Sequence, residues 1–140
     1  MTTVADGSYR ERLLGLLGDQ DPLEALEANA QRVEAVARKL GESGLSRSYG
    51  QPWDEASWAR RYANVDVETA LGSYRALRRW NLALFRGLSP ADLDRQAFHP
   101  ERGPETLASI IRLLAGHDLN HLAQLERLAA LPGTILHEHA

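Results

Sequence analysis

Residues 106–131 read TLASIIRLLAGHDLNHLAQLERLAAL, and this stretch decides the fold. Leu107, Ile110, Ile111, Leu114, His117, His121, Leu122, Leu125 and Leu128 recur at three- and four-residue steps, which lines them along one face of a long helix. Pro104 or Thr106 opens that helix, and Leu131-Pro132-Gly133 closes it. A helix with one apolar face must bury it against other elements. The rest of the chain offers helices for that purpose, since no stretch alternates with period two for long enough to read as a strand.

Upstream, Gln96 to Gly103 reads as a loop containing Pro100 and Gly103. Ser89-Pro90 starts a single turn that runs through Leu93. Before it, Asp66 caps a helix that reaches about Phe85 and closes at Gly87, with an apolar stripe of Val67, Ala70, Leu71, Tyr74, Leu77, Leu84 and Phe85 interrupted by Asn81. Trp53 to Tyr62 reads as a short helix, and Ser43 to Pro52 as a loop. Asp21-Pro22 opens another helix, with Pro22 at its first position and Glu24 in its first turn. Leu23, Leu26, Ala30, Val33, Ala37 and Leu40 line its face, and Gly41 and Gly44 end it. A first short helix covers Tyr9 to Leu17 and stops at Gly18. The expectation is one all-α domain over residues 9–131, an up-and-down helical bundle, with a flexible tail at 1–8 and another at 132–140.

The chain has 140 residues, enough to bury a core without staples. Net charge is −3, and no basic run exceeds Arg60-Arg61 or Arg78-Arg79, so no nucleic-acid partner is expected. There is no cysteine, which excludes disulfides, thiolate metal ligands and a cysteine nucleophile. Met1 to Asp6 is polar and does not read as a signal peptide. No apolar run approaches the ~20 residues of a membrane span. The expected location is the cytoplasm.

His117 and His121 stand four residues apart, one helical turn, where two imidazoles can share a metal. The stretch is not HExxH, because Asp118 rather than glutamate follows the first histidine. Histidines at this spacing also occur solvated or satisfied within a core, and a firm site takes three or more protein ligands. His99, in Phe98-His99-Pro100-Glu101-Arg102-Gly103, is a candidate ligand or general base. Asp118 is a candidate to complete the site or orient an imidazole, and Glu27 a further candidate ligand. His137 and His139 read as solvated tail residues. Trp53, Trp58, Tyr62, Tyr74 and Trp80 read as core and interface anchors.

Two motifs, Phe98-His99-Pro100-Glu101-Arg102-Gly103 followed by Thr106-Leu107, and His117-Asp118-Leu119-Asn120-His121-Leu122-Ala123-Gln124, resemble the DinB/YfiT-like superfamily. Gly18 to Leu26 is similar to that family's opening helix. The resemblance implies a four-helix bundle, often a homodimer. It also implies a divalent metal (Zn, Ni or Mn) held by three histidines, of which His117 and His121 match two. The implied function is a metal-dependent hydrolase, or a transferase acting on a small molecule with a low-molecular-weight thiol such as bacillithiol or mycothiol. The chain departs from the family pattern where the helix carrying the first ligand belongs. If Trp53 is aligned with that helix, the ligand position falls near Arg61, and no histidine precedes Phe98. One bundle helix thus reads as lost or shortened. The face so exposed calls for dimerisation or for repacking by the Tyr9 and Trp53 helices. The alternative function is a non-catalytic dimeric scaffold, an interaction or stress-response protein.

Overall fold

Four short polar side chains set the helix starts. The structure, a computed structural model, describes residues 4–45 and 66–134. Asp21 Oδ1 accepts the N–H groups of Leu23 and Glu24 at 2.9 Å each, opening α2 (Pro22–Leu45). Asp66 accepts from Thr69 N at 2.8 Å, opening α3 (Val67–Arg86). Ser89 and Asp92 form a reciprocal capping box around the single turn α4 (Pro90–Leu93). Thr106 accepts from Ser109 N and opens α5 (Leu107–Ala130). These are the starts that the sequence signals, because a cap acts locally on otherwise orphaned N–H groups.

The first helix, α1 (Val4–Leu17), begins five residues before the expected Tyr9 and so takes in part of the stretch read as a tail. Gly18, at φ 56°, ends it. In α2 the helix breaks at Gly41, where φ 60° and ψ −172° are open only to glycine, and then resumes to Leu45. The expected helix at Trp53 to Tyr62, with Arg61, lies outside the described residues, as do His137 and His139.

The segment read as a loop contains a hairpin. β1 (Gln96–His99) pairs antiparallel with β2 (Gly103–Thr106), from Gln96 opposite Thr106 to His99 opposite Gly103. Gly103 at φ 78° lets the chain reverse. Strands this short carry almost no periodic signal, so the sequence reading missed them.

Helix α5 packs on α2 and α1, and α3 packs on α2. The α2–α3 pair is antiparallel, with Glu27, Glu34 and Arg38 bonded to Arg86, Arg75 and Glu68 in turn. Leu17, Ala25, Leu26, Leu82, Ile111 and Ala115 form the core cluster. At Gly116 a Cβ would stand 2.2 Å from the Leu13 carbonyl oxygen, so α1 crosses α5 backbone against backbone.

Two expected faces are rotated. On α3 the buried side chains are Leu71, Arg78 and Leu82, whereas Leu77, Trp80 and Leu84 are 61%, 67% and 54% exposed. Trp80 is therefore not a core anchor. On α5 the buried set is Ile111, Ala115, Gly116, Asp118, Leu122 and Leu128, which puts His117 and His121 at the edge of the buried face rather than in it. Both helices carry leucine and alanine on several sides, so periodicity alone left their rotation open.

Candidate metal centre

His117 and His121 project from successive turns of α5, and His117 lines a groove with Tyr9 and Leu13 of α1. Their Nε2 atoms are 3.1 Å apart, and the rings meet edge to face with centroids 4.3 Å apart. His121 Nδ1 lies 2.8 Å from Gln124 Oε1, one further turn along. With Gln124 accepting, Nδ1 of His121 carries its proton, Nε2 keeps its lone pair, and Nε2–H of His117 donates to it. Burial, and secondly the neighbouring His121, hold the His117 imidazole below the usual histidine range, which favours the neutral form a metal needs.

Two donor atoms ~2.0–2.1 Å from one metal and roughly 100° apart at it span about 3.1 Å, so the pair stands at chelating separation. The oriented tautomer is the arrangement that second-sphere partners give to metal-binding histidines. The set fits a divalent metal through these two ligands. Among the described residues, no group of three or more His, Cys, Asp or Glu side chains is placed to hold a metal.

The other candidates lie elsewhere. His99 is half-buried at the end of β1, and its Nδ1 accepts the backbone N–H groups of Glu101 and Arg102 at 3.2 and 3.3 Å. It organises its own turn and does not join the His117/His121 pair in a cluster. Asp118 points to α3, where its Oδ1 accepts from Arg78 Nη2 at 2.9 Å, both side chains being buried. It orients no imidazole by hydrogen bond. Burial pushes its carboxyl up, and Arg78 only partly opposes this. Glu27 is exposed and pairs with Arg86 at 2.6 Å.

Sequence reading missed Arg78, although its position between Leu71, Tyr74 and Leu82 is the buried stripe of α3. It also missed the cluster at the hairpin, where the buried Glu105 accepts from both Arg10 and Arg102. Arg102 also lines a groove between α1 and α5 that ends at His117.

The model of the DinB superfamily matches residues 20–125, three quarters of the chain and all of the His117–Gln124 segment. The chain belongs to the DinB superfamily. Two curated relatives are each named a putative metal-dependent hydrolase. One, from Oceanobacillus iheyensis, is 37% identical over 79 residues, 56% of this chain and 46% of its own length. The other, from Bacillus mycoides, is 33% identical over the same shares. This DinB-superfamily chain thus matches these relatives over about half their length. Superposition on YfiT from Bacillus subtilis, described as a probable metal-dependent hydrolase with an unusual four-helix bundle topology, gives a TM-score of 0.47 at 17% identity, covering 93% of this chain and 89% of that one. Among the described residues, no helix is long and apolar enough to cross a membrane.

Proposed function

We propose that this chain is a metal-dependent hydrolase that holds a divalent cation, Zn, Ni or Mn, through Nε2 of His117 and His121. The observation that carries the reading is the 3.1 Å approach of the two Nε2 atoms, with Gln124 fixing the His121 tautomer. The names of the two curated relatives support it. Such a metal, when bound, makes a coordinated water acidic enough to act as a nucleophile near neutral pH. Gln124 holds His121 in the ligating tautomer. Leu13 and Leu114 line the groove beside His117. The finer alternative is thiol-dependent transfer to a small molecule. Having no cysteine, the chain would take that thiol from a low-molecular-weight co-substrate.

The test is elemental analysis of tag-free protein after exposure to Zn, Ni and Mn. One equivalent in the wild type, lost in His117→Ala/His121→Ala without loss of folding, supports the reading. A metal-free wild type sinks it.

A second reading, a non-catalytic dimeric scaffold in the cytoplasm, is favoured by two observations. The described residues supply no third His, Cys, Asp or Glu ligand. In addition, Leu77, Trp80 and Leu84 form an exposed apolar stripe on α3, the kind of surface that marks an interface between copies. Sedimentation of the wild type and Trp80→Lys tests it: a dimer that the substitution splits supports it, and a wild-type monomer removes it.

A further inference from the structure

We infer that the groove between α1 and α5 binds an uncharged, elongated apolar molecule, with one end of its chain at His117. The inference names the substrate class of the site proposed above, and it rests on that reading only for what happens at the His117 end.

Two apolar stripes line the groove. On α5, Ile110, Leu113 and Leu114 lead to His117 at three- and four-residue steps, along one side of the helix. On α1, Tyr9 and Leu13 stand one turn apart and form the other wall. From Ile110 to His117 the helix rises about 10 Å, which sets the length of chain that reaches both ends. The volume is about 280 Å³, at the small end of ligand sites. A partner helix, about 10–12 Å across, is too wide for such a slot, so the occupant is a small molecule.

The polar groups along the groove are already engaged, and this decides the charge of the ligand. Nε and Nη2 of Arg102 donate to the two oxygens of Glu105 at 2.9 and 3.1 Å, and Arg102 is engaged beyond that pair as well. Glu105 is buried and also accepts from Arg10, so its carboxylate is not offered to a ligand. Nε2 of His117 is turned to His121. A carboxylate or ammonium head would therefore leave water for leucine and isoleucine walls and meet partners that are already taken. An uncharged chain sheds little hydration of its own. It covers apolar surface on Tyr9 and Ile110, which are 37% and 38% exposed.

The experiment is titration of the full, chelator-treated chain with 1-octanol, octanoate and octylammonium, followed by backbone amide chemical shifts. Octanol should saturate one site per chain and shift residues 9–13 and 110–117 together. Both ions should bind at least about tenfold more weakly than octanol, because each must shed its hydration. Ile110→Lys, at a partly exposed position, should weaken octanol about tenfold by bringing a charge to the groove wall. The comparison of three probes on the wild type needs no variant, so a variant that misfolds does not protect the inference. Either ion binding as tightly as octanol, no saturable octanol binding, shifts centred elsewhere, or octanol binding unchanged in a folded Ile110→Lys would each overturn it. Because the protein is metal-free, octanol binding by a chain that never takes up metal would sink the hydrolase reading alone. A chain that loads metal and does not bind octanol would sink this inference alone.

Discussion

His117 and Asp118 are neighbours on α5, yet a helical step of about 100° sends them to different faces of it. Asp118 enters a sealed interface and meets Arg78 of α3. His117 borders an open groove under α1 and meets His121. On the sealed side a carboxyl meets a guanidinium, and among the described residues Arg78 Nη1 and Asp118 Oδ2 each lack a hydrogen-bond partner, as does Asn29 Nδ2. On the open side two imidazoles are oriented by hydrogen bonds and reach solvent. The first arrangement holds helices in register at the expense of desolvation, and the second keeps lone pairs available. A buried polar pair is thus the structural one, and the wetter pair the one proposed for chemistry.

The sharpest way to break this contrast is Asp118→Ala, which leaves Arg78 buried and unpaired. The expected loss is about 3–5 kcal/mol in denaturant unfolding. Replacing both partners, Arg78→Met with Asp118→Leu, should recover most of it; a double variant as unstable as the single one would show that the ion pair itself stabilises the fold. Gly116→Ala should cost about 1–3 kcal/mol and lift α1, because its methyl meets the Leu13 carbonyl. Amide exchange in α1 should rise while α3 stays protected, and uniform exchange across the chain would contradict the assignment.

Glu105 tests the charged rim of the groove. The Arg102 hydrogen bonds, aided by the charges of Arg102 and Arg10, hold its carboxyl below the usual glutamate range against the opposing effect of burial. A lowered folded-state value means stability that is present above the unfolded value of about 4.3 and lost as pH falls through the folded one. Glu105→Gln should therefore unfold about 1.5–3 kcal/mol more easily at pH 7, with the gap closing below that value. A gap independent of pH would refute the linkage. The smallest expected effect on folding is at the imidazoles. His121→Ala, at an exposed site, should change stability by no more than about 0.5 kcal/mol while abolishing metal uptake. Gln124→Ala should weaken metal binding about 10–100-fold in a competition assay with a chromogenic chelator; unchanged affinity would remove Gln124 from the site.

Much of this was legible from residues alone, for a physical reason. The caps at Asp21, Asp66, Ser89 and Thr106 act within one turn, so their positions survive without knowledge of tertiary contacts. The His117–His121–Gln124 line follows from helical spacing in the same way. What depends on long-range packing was not legible. The rotation of α3 is set by which side meets α2, and Leu77, Trp80 and Leu84 look as buriable as Leu71 and Leu82. The choice of Arg78 by Asp118 joins positions 40 residues apart. The hairpin at Gln96 to Thr106 is a pairing of two four-residue strands, below the length at which alternation speaks.

The hydrogen bond between the two imidazoles has a consequence for exchange with solution. One proton sits between the Nε2 atoms, in the space a divalent cation would take. Proton and cation are therefore mutually exclusive tenants, and a cation held there would need the His117 proton carried on Nδ1 instead of Nε2. A neutral imidazole keeps one ring proton when it ligates, so the exchange is a change of tautomer rather than a loss of acid to solution.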